Sequence, residues 1–280
     1  MPTLPSLRSS VTCRGPSSRQ QHYCRIAATR QYRLCITANS GQLDVVQPAT
    51  TTGLWTPRWE VRTPLGRLLI KSIERAEMQA ASVVLTRAFA SSAEAVPLNE
   101  VLKDIESMLP ADSSDGSGSS SHPVAVGGGQ GGAAGAAAAG YFFVARLFPY
   151  DPQQAPLPPG QDSRLVGTAS LSLSAESQPV QRLPPVNLPP AGAAYVSNMA
   201  VDPRVRRRGV ARVLLAACED AARAAGRREV WLHVREADGA ARGLYDGAGY
   251  GTVTKDSWLD SMRHGGMRPR LLMRRELLPP

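Results

Sequence analysis

The stretch Val201–Ala211 reads VDPRVRRRGVA and decides the fold. Within it stands Arg206-x-x-Gly209-x-Ala211. AYVSNMAV runs into it as a predicted strand, and VARVLLAACEDAARAAG runs out of it as a predicted helix. A strand, a short basic glycine turn and a helix together make a site for a phosphorylated cofactor. The first-turn amides of a helix have no partner inside it, so they favour an anion. Gly209 lets the backbone turn and approach closely, and Ala211 keeps the first helical turn open. Arg206, Arg207 and Arg208 add positive charge. Read alone, such a run is a solvated basic face or a localisation patch; placed between a strand and an apolar-striped helix, it reads as phosphate-binding.

Outward from this point the chain is uneven. Its first 43 residues hold Arg8, Arg14, Arg19, Arg25, Arg30 and Arg33, many Ser and Thr, and no acid before Asp44. That is the pattern of an organelle transit peptide, so residues 1–55 are expected to be a disordered leader. Its Ser/Thr/Pro-rich start favours chloroplast stroma over mitochondrion. The net charge is +9, and setting aside the six leader arginines leaves about +3, which is no general argument for nucleic-acid binding. The basic run is also short and lacks interleaved aromatics. Cys13, Cys24 and Cys35 fall in the leader and Cys218 stands alone in the helix, so neither a disulfide framework nor a metal site is indicated. No apolar run has the length of a membrane span.

Between Thr50 and Gly66 the reading stays open: Trp55 and Trp59 either begin the folded part or flank it. A first strand is expected at LLIKSIE (Leu68–Glu74). An amphipathic helix then carries Met78, Ala81, Leu85, Ala88 and Phe89, and a second carries Leu98, Leu102, Ile105 and Leu109. Residues 111–140 are nearly pure Ser, Gly and Ala and cannot bury enough apolar surface to order, so a disordered insertion is expected. Strands follow at Tyr141–Phe148 and Arg164–Ser174, then a proline-rich loop at 177–193. Beyond the long helix come a strand at Glu229–Val234, a short helix at Gly239–Asp246, and strands at Tyr250–Thr254 and Arg268–Leu277. The fold class is therefore α/β in the α+β sense: a mixed, mostly antiparallel sheet of about seven strands flanked by about four helices, over residues 66–280.

A second motif lies downstream: Asp238-Gly239-Ala240-Ala241-Arg242-Gly243-Leu244-Tyr245-Asp246-Gly247-Ala248-Gly249-Tyr250. This order of elements and the two spaced motifs resemble the GNAT superfamily of acetyl-CoA-dependent N-acetyltransferases. Arg206, Gly209 and Ala211 match its cofactor signature, and Ala241, Leu244, Tyr245 and Gly249 match its downstream signature. The resemblance implies acetyl-CoA as co-substrate, with no metal. It implies that backbone groups of Met199, Ala200 and Val201 meet the pantetheine chain. The turn Arg206, Arg207, Arg208, Gly209, Val210, Ala211, with Arg212 after it, would hold the pyrophosphate, with either Arg207 or Arg208 supplying charge. Asp238 and Ala241 would sit beside the cofactor. The family often has Asn where this chain has Asp238, which removes an amide donor and leaves chiefly a helix cap.

Tyr245 stands where the family places a tyrosine that protonates the departing thiolate or stabilises it by a hydrogen bond. Tyr195 and His233 resemble positions in catalytic subunits of eukaryotic N-terminal acetyltransferases, where a tyrosine and a histidine deprotonate the amine through water. A strand histidine with a purely structural role is the bland alternative, as is a core aromatic for Tyr245. The leader, the core and the ending RPRLLMRREL are similar to plant-type plastid GNAT enzymes that acetylate protein N-termini and lysines. An α-amine has a pKa near ~8 and lysine near ~10.4, so freeing lysine costs roughly 3 kcal/mol more at neutral to slightly basic pH. Lys255–Met267 is expected to form a lid with Trp258 and Leu259 facing the acceptor. Two other functions remain open: acetylation of a small amine such as an arylalkylamine, and acyl-CoA binding without turnover.

Overall fold

The computed structural model describes residues 36–38, 41–43, 45–46, 58–90, 98–108, 140–174, 187–257, 259 and 269–277. All of these lie in the unit Arg33–Pro280. The rest of the expected leader, residues 111–139 of the expected insertion, residues 177–186 of the proline-rich loop, and Trp258 with residues 260–267 of the expected lid lie outside them.

Strands β1 (Ile36–Ala38) and β2 (Gly41–Leu43) form a separate two-stranded ladder. The main sheet contains β3 (Val45–Val46), β4 (Arg58–Thr63), β5 (Gly66–Ser72), β6 (Gly140–Pro149), β7 (Arg164–Ser172), β8 (Ala194–Val201), β9 (Glu229–Arg235), β10 (Gly251–Lys255) and β11 (Arg270–Glu276). Their spatial order is β10-β11-β9-β8-β7-β6-β5-β4-β3. Neighbours run antiparallel except β8 and β9, which are parallel and joined by a helix. The α-helices are α1 (Met78–Phe89), α2 (Leu98–Met108), α3 (Val210–Ala224) and α4 (Gly239–Gly247).

The sheet is mixed and mostly antiparallel, as expected, but among the described residues it has nine strands rather than about seven. The extra strands precede the expected first one. In β4 the side chains alternate, with Trp59, Val61 and Thr63 buried and Arg58 and Arg62 exposed. Trp59 meets Phe143 edge-on with centroids 5.4 Å apart, and its Nε1 donates to Asp220 Oδ2 at 3.2 Å. Trp59 therefore belongs to the folded part, while Trp55 lies outside the described residues. The expected first strand is β5, the second arm of a hairpin with β4.

Strand alternation divides the core between the two faces of the sheet. On one face α3 buries Val210, Val213, Leu214, Ala217, Cys218 and Ala221 against β5 through β9, together with Tyr245 of α4. On the other, α1 and α2 bring Ala81, Val84, Leu85 and Ile105 over Phe142, Val144, Leu165 and Ala200. Close approach of α3 depends on Gly167 of β7. A Cβ there would stand 3.0 Å from both Leu214 Cδ1 and the Ala200 carbonyl oxygen. Glu219 of α3, nearly fully buried, receives Arg275 of β11, whose Nη1 lies 2.6 Å from each carboxylate oxygen. That pair ties the C-terminal strand to the helix that follows the glycine turn.

Candidate active site

The site begins where β8 leaves β9. Their ladder runs Ala194↔Val230, Tyr195↔Trp231 and Val196↔Leu232, and among the described residues it goes no further. On its other side β8 stays paired with β7 as far as Gly167↔Val201, with a register shift opposite Ala169 that leaves Asn198 and Met199 in a bulge. Asn198 adopts φ 49°, Thr168 Oγ1 donates to its carbonyl at 2.9 Å, and its Nδ2 donates to Ser170 Oγ at 3.1 Å. A bulge bends and twists its strand. Here it turns Ser197–Val201 away from β9, and the gap exposes the edge that holds Met199, Ala200 and Val201. The Ser197 Oγ is buried with no hydrogen-bond partner among the described residues. A buried hydroxyl beside an open backbone edge is what a hydrogen-bonding ligand would satisfy.

The basic turn closes one end of this gap. Asp202 caps a 3-10 turn at Pro203–Val205 by accepting from Arg204 N at 2.9 Å, and it is paired with Arg164. Arg207 takes φ 63° and Gly209 φ 84°, and α3 begins at Val210. The left-handed position at Gly209 is cheap only for a residue without a Cβ. Arg207 and Arg208 are exposed beside the helix N-terminus. Arg206 differs from them: its Nε donates to the Val201 carbonyl at 3.1 Å, so it braces the turn against β8. Val210 is buried and Ala211 packs on the core. Arg212 reaches toward α4, since a Cβ on Gly247 would lie 3.8 Å from its Nη2.

Asp238 is the N-cap of α4, with Oδ1 accepting from Ala241 N at 2.9 Å. This engages the Ala241 amide within the protein. One helical turn on, Tyr245 is 6 % exposed and meets Tyr250 edge-on at 5.9 Å. Burial pushes its phenol pKa up, and the nearby Tyr195 phenol adds to the effect. Tyr245 thus holds its proton and has it to donate in a hydrogen bond.

Tyr195 and His233 meet on the opposite face of the sheet from α3. Tyr195 clusters there with Trp231 and Leu272, while Val196 and Leu232 belong to the core that contains Tyr245. Tyr195 Oη lies 2.8 Å from His233 Nδ1, and His233 Nε2 lies 3.0 Å from the Asn187 carbonyl oxygen. Burial, with Arg270 nearby, lowers the His233 pKa to about 4. The imidazole is therefore neutral at physiological pH. A carbonyl can only accept, so Nε2 carries the proton and Nδ1 accepts from Tyr195. Burial raises the Tyr195 pKa, which keeps that proton in place. Asn187, Ser197 and Asn198 were not legible as site residues. A positive-φ asparagine in the strand-to-turn segment SNMA is the signal that marks the bulge.

Residues 142–250 match the Acetyltransferase (GNAT) family. GCN5-related N-acetyltransferase 5, chloroplastic, of Arabidopsis thaliana is 33 % identical over 120 residues, which is 42 % of this chain and 36 % of that protein. The [Ribosomal protein bS18]-alanine N-acetyltransferase of Haemophilus ducreyi is 38 % identical over 61 residues, 22 % of this chain and 42 % of that protein. The chain thus spans less than half the length of either relative. The solved ribosomal-protein-S18-alanine N-acetyltransferase of Escherichia coli aligns with 76 % of this chain and 96 % of its own, at 17 % identity and a TM-score of 0.44. The chain carries a GNAT acetyltransferase domain.

Proposed function

We propose that this protein transfers an acetyl group from acetyl-CoA to protein amines, at N-terminal α-amines and at lysine ε-amines. The observation that carries the reading is the gap between β8 and β9, which has a hydrogen-bond donor, Tyr245, on one face and a Tyr195–His233 pair at 2.8 Å on the other. The edge Met199–Val201 beyond the β9 ladder, the Ser197 hydroxyl, which has no partner among the described residues, and the amides at the start of α3 suit a pantetheine chain and its phosphates. Arg207 and Arg208 would add charge there, and Arg206 would hold the turn.

Acetyl-CoA supplies an activated acetyl thioester whose sulfur leaves with negative charge. Tyr245 supplies a hydrogen bond at that charge. A thiol has a pKa near ~8.5, well below that of a buried phenol, so stabilisation without full proton loss is the better-supported role for Tyr245. On the other face Tyr195 presents its oxygen lone pairs to the acceptor amine. It takes the amine proton as its own proton passes to His233 Nδ1, which leaves Tyr195 neutral and puts on His233 the positive charge that balances the departing thiolate. His233 acts through Tyr195, because both ring nitrogens are already bonded within the protein.

A protein acceptor is supported by the similarity to a relative named for acetylating an alanine of a ribosomal protein. A plastid location is supported by the similarity to a protein named as chloroplastic and by the acid-free, arginine-rich first 43 residues. The purified full chain, acetyl-CoA and three acceptor sets test the reading: lysine-free peptides with free N-termini, N-blocked lysine peptides, and aromatic amines. Mass spectrometry should find acetyl on the α-amines first and on lysine more slowly. Turnover of aromatic amines with no acetylated peptide would replace this acceptor class by a small amine.

A further inference from the structure

The pair that faces the acceptor is held from behind by three residues outside both motifs. Asn187 lies within the proline-rich loop with φ 55°, a conformation that few residues other than glycine, Asn and Asp adopt readily. Its carbonyl accepts from His233 Nε2, and its side-chain Nδ2 donates to Asp256 Oδ1 at 3.0 Å. The second oxygen of Asp256 accepts from both Arg270 N and Arg270 Nε, at 3.1 and 3.0 Å. Asp256 and Arg270 are 7 % and 8 % exposed, so water competes poorly for these bonds. Burial opposes ionisation of Asp256, but the bonds from Asn187 and Arg270 outweigh it and hold the carboxyl below the usual range. The chain of bonds therefore runs unbroken from the first residue of β11 through the loop to β9 and β8.

We propose that Asn187, clamped by the Asp256–Arg270 pair, is a positioning residue that locks His233 as its Nε2–H tautomer, so that Tyr195 donates inward and turns its oxygen lone pairs to the acceptor amine. This rests on the amine-side role given above to Tyr195. The opposite tautomer would put the proton on Nδ1, set the bare Nε2 lone pair against the Asn187 carbonyl oxygen, and reverse the Tyr195 bond. The charged and titratable groups facing His233 are Tyr195 from β8, Asp256 from the segment after β10, and Arg270 from β11.

The test compares the full chain with Asn187→Gly, Asp256→Ala and Tyr195→Phe. Glycine keeps the carbonyl and the backbone angle at 187 and removes only the tie to Asp256. Imidazole 15N spectra, assigned by His233→Gln, should show a bare Nδ1 and a protonated Nε2 in the parent. Asn187→Gly should show mixed tautomers, a five- to twentyfold lower kcat for peptide with unchanged KM for acetyl-CoA, and an acid limb of the rate profile moved to lower pH, because the bond to the Asn187 carbonyl raises the His233 pKa. Parent-like spectra and a superimposable pH profile in Asn187→Gly would overturn the proposal. Should Asp256→Ala fail to fold, Asn187→Gly carries the test alone. Full activity of Tyr195→Phe would remove the amine-side reading, while the parent's tautomer spectrum would still report the clamp.

Discussion

At the scale of single residues, chemically similar groups in this site divide by what holds them. Arg206, Arg207 and Arg208 read alike in sequence, yet only Arg206 is committed to the Val201 carbonyl. Arg206→Met should lower Tm and disturb the turn. Arg207→Met and Arg208→Met should leave Tm near the parent and weaken acetyl-CoA binding about two- to fivefold each, as calorimetry would show, with less effect at high salt. His233 gives a signed pH prediction. Its folded pKa lies at about 4 against 6.5 when unfolded, so the unfolded chain binds more protons between those values. The neutral histidine's contribution is complete above about pH 6.5 and is lost as pH falls toward 4, on the order of 3 kcal/mol. Buried Glu219 and Asp220, whose pKa values burial raises, act in the opposite direction. The checking measurement is therefore the difference between denaturation curves of the parent and His233→Gln, which should shrink as the solution is acidified. A pH-independent difference would show that His233 is not held neutral.

At the scale of elements, what was legible in the sequence followed the periodicity. The apolar stripe of VARVLLAACEDAARA predicts α3, and WLHV and LLMRRE predict strands buried on both faces or nearly so. Strand β4 was harder: RWEVRT alternates well, but it is short and follows a Thr/Pro-rich stretch that masks its start. The motifs placed Tyr245, Gly209 and Asp238 because each acts locally, through a cap, a turn or a helix face. The Asn187 clamp could not be read, because its bonds join residues 46 and 69 positions apart across loops. Gly167 carries an element-scale prediction. Gly167→Ala pushes a methyl against Leu214 and the Ala200 carbonyl, and should cost about 1–3 kcal/mol. It should also weaken acetyl-CoA binding, because the same contact seats the first turns of α3 beside the gap. A Tm and an affinity both equal to the parent would mean that the α3–β7 approach has slack.

At the scale of the whole molecule, the parallel pair inside an otherwise antiparallel sheet explains why the groups collect where they do. The β8–α3–β9 crossover puts a helix N-terminus at the end of β8, and the bulge at Asn198 and Met199 opens the sheet beside it. Tyr245 belongs to the core on the face of α3, and Tyr195 to the cluster on the opposite face. The proposed transfer runs through the sheet, from a cofactor bound along β8 to an amine held at Tyr195. It is tested most directly by single-turnover transfer from acetyl-CoA to a lysine-free peptide with a free N-terminus, in parent, Tyr245→Phe and Tyr195→Phe. Each variant should transfer roughly ten- to a hundredfold more slowly with acetyl-CoA affinity unchanged. Transfer at the parent rate by both variants would contradict it.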